Sequence, residues 1–271
     1  MPRASYSSKI AKATTLIHAL AGKVQEYLYL PDPSPLYVVL GTIAGNALSG
    51  HPVWMMLIGP PSSGRTLMLE AIDQIPGVCS VSVVKGPASF ISAVPKKDIV
   101  KGATGGILYE IGNRGIMVLK DFTSILSRPH ESKLEPIAAF RERFDGKWSR
   151  GVGTGGGMTR RWRGRIGFLG ACTPVIDEHH KVTSELGERW VYYRYHETDG
   201  YHESQMSNKA KDREAMQLEL SGWVAEFFGT IMEDIVWTAK DGWQPPIEKR
   251  DLEQKEANRI FSMSALAAKL R

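Results

Sequence analysis

Cysteine is scarce. Cys79 and Cys172 are the only two in 271 residues, and neither stands in a Cys-x-x-Cys pair. That usage excludes a disulfide framework and a zinc site of the usual spacing, and it fits a reducing, cytoplasmic setting. Adjacent His179 and His180 have no companion at metal-ligand spacing either. Long apolar runs are missing: none approaches the roughly 20 residues of a bilayer span, so no membrane partner is expected. The opening residues MPRASYSSKI have a basic touch but no apolar stretch of the kind a signal peptide needs. Internal repeats are absent, and the glycine run at residues 155–157 is the one low-complexity tract. Acid is in slight deficit, with 29 Asp and Glu against 34 Lys and Arg, a net charge of +5 and a pI of about 9.1. So small an excess matters for partners only where it is clustered.

What is present describes an ordinary globular chain, 42% hydrophobic and 23% charged, long enough for one good core and a small satellite domain. Its most informative stretch is residues 53–72, VWMMLIGPPSSGRTLMLEAI. An apolar run meets the breakers Gly59, Pro60 and Pro61. Ser62, Ser63 and Gly64 follow, then Arg65 and Thr66, then apolar residues at helical spacing. Strand, glycine-containing loop and helix in that order form the frame in which G-x-x-x-x-G-K-[ST] binds nucleotide phosphates. Backbone N–H groups of the loop converge on the anion. A basic side chain reaches the outer phosphates, and the Thr66 hydroxyl is suited to ligate Mg²⁺. Residues 59–66 are therefore the expected nucleotide contacts. One letter departs from the pattern: the usual lysine is Arg65. Its guanidinium keeps the charge but is planar, bulkier and forked, which bears on how a terminal phosphate is placed.

A second strand-like run, residues 116–119, puts Asp121 at its C-terminal end. In parallel α/β sheets that end faces the ligand crevice, and an acid there can hold Mg²⁺. The next position, often Glu where water is activated, is Phe122, a second departure; Glu110 is a weak substitute. Residues 145–165, DGKWSRGVGTGGGMTRRWRGR, carry Lys147, Arg150, Arg160, Arg161, Arg163 and Arg165 with no acid after Asp145. Central glycines, with Trp148 and Trp162 one in each arm, suggest a β-hairpin whose cations touch a phosphate backbone while its aromatics stack or brace it. A solvated loop whose tryptophans merely pack is the plainer alternative. Residues 166–171 form another buried-type strand and leave Thr173 at the ligand end, either by the terminal phosphate and attacking water or as a turn cap. Arg189 precedes the apolar-aromatic run WVYYRY; it reaches a neighbouring subunit's nucleotide or makes a salt bridge on its own surface.

Hydrophobic periodicity predicts helices over residues 1–30, 36–48, 133–144, 209–237 and 252–270, with a short helix or turn over 88–94. Strands are predicted over 53–58, 79–84, 116–119 and 166–171. Residues 31–35, PDPSP, make a stiff break. The expected division is a helical lead-in over 1–35, a nucleotide-binding core over 36–200 and a helical portion over 201–271.

Taken in order, GPPSSGRT, GILYEIGNRGIMVLKDF, DGKWSR, GACTP and LGERWVYYR resemble the AAA+ ATPases. The similarity is to the branch with a hairpin before the sensor strand, which includes the mini-chromosome maintenance helicases and the bacterial enhancer-binding activators. Within it, the wording is similar to ATPases carried by phages and mobile elements. About residues 36–200 are covered. The resemblance implies an α/β fold of the P-loop NTPase kind, a three-layer sandwich on a parallel central sheet, with a small C-terminal helical lid, whole or truncated. It implies ATP and Mg²⁺ as cofactors, Gly59 to Thr66 as the phosphate loop, Asp121 as the magnesium acid and Thr173 as the sensor residue. Arg189 becomes the finger inserted into the next protomer's site; Arg259 and Arg271 are weak candidates for a second sensor. It also implies a homo-oligomeric ring, commonly a hexamer, with the hairpin directed at DNA in a central pore through Lys147, Trp148, Arg150, Arg160, Arg161 and Arg163. The function expected is a DNA-dependent ATPase motor, a helicase or translocase serving replication of a phage or mobile element. The alternative is an ATP-binding regulator or scaffold whose hydrolysis is impaired by Arg65 and Phe122. An activator that remodels polymerase is disfavoured because residues 84–105 hold no GAFTGA-type loop. The basic hairpin and the Arg189 region argue against a small P-loop kinase.

Overall fold

The five residues Trp54–Ile58 (β1) include no charged group and are all buried, as befits a parallel strand covered on both faces. The computed structural model describes residues 3–48, 50–61, 63–92, 105–152, 158–179, 189–195, 213–233 and 235–244. Further strands are Val78–Val81 (β2), Arg114–Leu119 (β3), Lys147–Val152 (β4), Met158–Arg163 (β5), Arg165–Cys172 (β6), Trp190–Arg194 (β7), Val236–Thr238 (β8) and Gly242–Gln244 (β9). Helices are Arg3–Tyr27 (α1), Ser34–Ala47 (α2), Arg65–Ala71 (α3), Ile107–Ile111 (α4), Thr123–Leu126 (α5), His130–Phe144 (α6) and Arg213–Ile231 (α7). Five strands form one sheet in the order β2-β3-β6-β1-β7. Every pairing in it is parallel.

Strand alternation sorts the core into two layers. Met55 and Leu57 of β1, Ile116 and Val118 of β3, and Leu169 and Ala171 of β6 pack with α1, α2, α3 and α7. Trp54, Met56 and Ile58, Met117 and Leu119, and Phe168 and Cys172 pack on the other face with α4, α5, α6 and the β4–β5 hairpin. This is the three-layer α/β architecture of the P-loop NTPases. Aromatic rings concentrate in the second layer: Trp54 meets Phe144, Phe168 and Trp190 at centroid distances of 5.3, 5.6 and 5.0 Å. Its indole N–H donates to the Ile166 carbonyl at 2.8 Å. Phe122 is fully buried in the same group, against Phe140, Phe168 and Trp190.

The start of β1 is fixed by a side chain. Asn46, buried at the end of α2, accepts from the Val53 N–H and donates to the Val53 carbonyl, both at 2.9 Å. It can approach only because residue 167 of β6 is glycine: a Cβ there would lie 2.3 Å from the Asn46 amide carbon.

Several elements differ from their sequence-based boundaries. β2 stops at Val81 rather than residue 84, because its last pair is Val81 with Leu119, where β3 itself ends. α6 begins at His130, ahead of residue 133, with Pro129 as its N-terminal flank. The helix expected over 209–237 ends at Ile231, and Trp237 instead pairs with Trp243 in the β8–β9 hairpin. The overlooked signal is Asp241-Gly242, a turn pair with Gly242 at φ +70°. α7 lies against α1 and α3, with Tyr27 donating to Glu219 and Arg213 paired with Glu70 at 3.1 Å. The helix expected over 252–270, with Arg259 and Arg271, lies outside the described residues. No helix among the described residues is long and apolar enough to cross a membrane.

Trp54→Ala removes the ring shared by both aromatic neighbours and strands, and should lower unfolding free energy by about 3–5 kcal/mol. Denaturant titration followed by far-UV circular dichroism measures it.

Candidate functional site

The loop after β1 is held from both sides. Gly59 N–H donates to the Cys172 carbonyl of β6 at 3.1 Å, and Tyr195 N–H donates to the Ile58 carbonyl at 2.8 Å from the β7 side. The Tyr195 side chain lies so close that a Cβ on Gly59 would be 3.0 Å from its own Cβ. Gly64, left-handed at φ +73°, turns the chain into α3, where any side chain would strike Leu28. Pro60 and Pro61 have no N–H, and that of Gly59 is already taken. Among the described residues, the loop donors left to an anion are therefore those of residues 63–66, and the first turn of α3 has no intrahelical acceptor for them. Ser62 lies outside the described residues. Thr66 is exposed at this helix start.

Arg65 is turned back onto its own loop. Its Nε donates to Ser63 Oγ at 3.0 Å, its Nη2 to the Pro60 carbonyl at 2.9 Å, and its Nη1 to the Cys172 carbonyl. The same guanidinium thus bridges the loop and the end of β6. Burial lowers its pKa, and the neighbouring Tyr195, Cys172 and Asp121 oppose that shift.

Asp121 follows β3, which is separated from β1 by β6 alone. Phe122 N–H donates to the Ala171 carbonyl at 2.8 Å, so this segment and the Gly59 loop flank the same end of β6. Two strand spacings put them about 10 Å apart in backbone terms, near enough for Asp121 to act electrostatically on Arg65. The carboxylate is exposed and accepts the Ser124 N–H at 3.3 Å, while neighbouring Lys120 is tied to Asp73 at 2.7 Å. Thr173 stands just past β6; its N–H donates to Thr123 Oγ1 at 3.1 Å and the two hydroxyls are 3.3 Å apart. Oxygen donors from Thr66 and Asp121 at one sheet end are the hard ligands that Mg²⁺ takes.

The basic hairpin forms with the Lys147–Arg163, Trp148–Trp162 and Arg150–Arg160 pairs. Alternation splits its faces. Trp148 and Trp162 are 7% and 5% exposed and turn inward, one against Phe90 at 5.8 Å, the other donating to the Gly112 carbonyl at 3.1 Å. They brace the hairpin, which corrects the expectation that Trp148 offers a stacking face. Arg150 also turns in, to the Ile91 carbonyl at 3.0 Å, and Arg160 is half-buried beside Tyr109. Lys147, Arg161 and Arg163 form the exposed face. The tip, residues 153–157, lies outside the described residues.

Arg189 precedes β7, beside the start of β1 and so at the sheet end opposite its own loop. It pairs with Asp145 at 3.9 Å and lies over the Phe144 ring. Glu110 faces Cys79, whose partner across the ladder is Met117, well short of the end that carries Asp121.

A scan against protein-family models finds no match, and a search of curated proteins finds none. Among solved structures, the fold is similar to a candidate ATPase from Cytophaga hutchinsonii ATCC 33406, at 15% identity and a TM-score of 0.45. The alignment covers 80% of this chain, which spans 65% of that structure's length. A likeness of that degree carries no weight for function, so the fold assignment rests on strand order and loop position.

Three contributors were not foreseen. Tyr195 closes the run WVYYRY, where period-two alternation carries the signal. Thr123 directly follows Asp121-Phe122. Arg143, 2% exposed, has its guanidinium 2.9 Å from the Phe90 ring centre and 4.6 Å from that of Trp148, beneath the hairpin. Only its i−3 spacing from Phe140 hints at this.

Both thiols are buried. Burial, then the charge of Glu110, pushes Cys79 up from 9.0 to about 12. The native chain at neutral pH should leave a thiol reagent unreacted and titrate fully once unfolded. Between those two values the folded chain holds a proton that the unfolded chain has lost, so stability should fall as pH rises from 9.0 towards 12. Cys79→Ala should flatten that portion of the profile, read from denaturation midpoints across the range.

Proposed function

We propose that the chain is an ATP-binding, Mg²⁺-dependent ATPase of the AAA+ kind that works on DNA as a helicase or translocase. The observation that carries this is the placing of two features at the two ends of one strand. The Gly59 to Thr66 loop and Asp121 flank the C-terminal end of β6, and the basic hairpin runs directly into its N-terminal end through Gly164. Residue donors at 63–66 suit the outer phosphates, and Thr66 and Asp121 suit the metal. Thr66 and Asp121 would hold Mg²⁺, which would supply charge neutralisation at the outer phosphates. Thr173, oriented by Thr123, suits a water or terminal phosphate next to that metal. Arg189 is remote from its own loop, so a role at a nucleotide requires a second copy of the chain; a ring, commonly a hexamer, is what the sequence resemblance implies. Lys147, Arg161 and Arg163 suit a phosphate backbone. Service in replication of a phage or mobile element is the setting the sequence resemblance favours.

A second reading has its own support: a nucleotide-binding regulator with poor turnover. Arg65 spends its donors on Ser63, Pro60 and Cys172, and Phe122 is buried where an acid would otherwise activate water.

Hydrolysis by the full chain, with and without single-stranded DNA, separates the two. The motor reading expects DNA-stimulated turnover that Asp121→Asn lowers on the order of a hundredfold. Absence of any such turnover in the assembled protein defeats it. Arg65→Lys should raise turnover several-fold if the guanidinium is the impediment; an unchanged rate removes the Arg65 ground for the regulator reading and leaves that reading on Phe122 alone.

A further inference from the structure

A cavity of about 440 Å³ lies at the sheet end away from the loop, between the start of β3 and β6, the end of β5 and the β8–β9 hairpin. Arg114, Arg163 and Arg165 line it, with Asn113, Gln244 and a single acid, Asp241. Its walls are tied to neighbouring backbone. Arg165 is fastened by its own donors to the carbonyls of Asn46 at 2.9 Å, Leu48 at 2.6 Å and His51. Arg114 donates to the same Leu48 carbonyl at 3.3 Å. The β8–β9 turn is clamped on the other side, since a Cβ on Gly242 would overlap the Arg114 carbonyl.

Carbonyls at and just past the end of α2 accept from Arg114 and Arg165, but no acid among the described residues balances the charge. Arg114 and Arg165 stand directly opposite each other on neighbouring strands, an arrangement that like charges make unfavourable. Among the described residues, none of the three arginines has a carboxylate ion-pair partner, Asp241 included. Burial, then the charge of Arg114, pushes Arg165 down to about 10. A fold that holds cations together in this way gains when an anion arrives.

The lining also says which anion. Guanidinium donors match phosphate oxygens, and Arg165, whose Nη1 and Nη2 are held by carbonyls, contributes charge and not a free fork. Among the described residues no ring is offered to a base: Trp243 is 2% exposed and its indole N–H is spent on the Pro76 carbonyl at 2.6 Å. Arg163 belongs both to this cavity and to the outer hairpin face, where it pairs with Lys147 and lies two residues from Arg161, roughly 7 Å along the strand. The cavity is thus the inner end of a cationic strip, which a polymer can follow and a lone phosphate cannot. We infer that the Arg114–Arg163–Arg165 cavity holds a backbone phosphate of the same nucleic-acid strand that crosses the hairpin, without reading its sequence. This rests on the nucleic-acid part of the proposed function.

The test is anisotropy of short labelled single-stranded oligonucleotides of differing sequence, titrated with the full chain across a salt series. Arg114→Gln should weaken binding alike on every sequence and reduce the log–log salt slope by about 0.7, with thermal unfolding unchanged. Lys147→Gln with Arg161→Gln should reduce the slope separately. Gln244→Glu, an exposed change that adds a repelling carboxylate at the rim, should weaken binding too, and it stands in should Arg114→Gln fail to fold. Wild-type affinity and slope in the cavity variants, beside a loss in the hairpin variant, overturns the cavity assignment and leaves the nucleic-acid reading intact. No oligonucleotide binding by the wild type overturns both. A thermal shift with inorganic phosphate that Arg114→Gln abolishes, beside an oligonucleotide slope it leaves unchanged, identifies a small-anion site and overturns the assignment.

Discussion

The last two residues of β6 hold the candidate site together. The Cys172 carbonyl accepts the Gly59 N–H and the Arg65 guanidinium, and the Ala171 carbonyl accepts the Phe122 N–H. Two segments distant in sequence, the loop and the acid-bearing turn, are therefore set by one piece of backbone. Because β6 pairs with β3 over residues 165–170 and with β1 over 168–172, that backbone has little freedom to shift. The geometry between loop and carboxylate follows from ladder register more than from any side-chain contact between them.

Register also explains what was readable beforehand. The loop, the Asp121 strand and the hairpin are local patterns, in which breakers, apolar runs and charges lie within about twenty residues of each other, and each appears in its expected place. Long-range partners leave no such trace. Tyr195 meets Gly59 because β7 happens to lie beside β1, and Thr123 meets Thr173 because β3 lies beside β6. Strand order decides both, and no spacing encodes it. The same holds for Asn46, whose reach to Val53 depends on a glycine in β6 more than a hundred residues later. The β8–β9 hairpin is a different kind of miss: its turn signal is local, but an apolar run before it reads equally well as a continuing helix.

For the basic segment, composition located the charge and only the pairing divided it. One alternation puts two tryptophans and two arginines beneath the hairpin and leaves Lys147, Arg161 and Arg163 outside. The inward set packs on Phe90, Gly112 and Ile91. Arg143 completes this base from below with its cation over three rings, those of Phe90, Phe140 and Trp148. A hairpin braced so densely on the core is fixed to the start of β6, about 23 Å along eight residues from the end that carries the loop.

Catalysis is where the departures in sequence and the packing meet. An acid at position 122 would have to replace a phenylalanine enclosed by Phe140, Phe168 and Trp190, and burying an unpaired carboxylate among three rings costs far more than it returns. The aromatic layer that stabilises the sheet and a water-activating carboxylate at that position are thus mutually exclusive in this chain. The hydroxyls of Thr123 and Thr173 can orient a water but cannot take its proton near neutral pH. On the proposed reading, rapid turnover of a triphosphate at the loop would require a proton acceptor from elsewhere, either the phosphate itself or a group contributed by a second copy. Turnover rather than nucleotide binding is then the step that would draw on assembly, and the remoteness of Arg189 from its own loop accords with that.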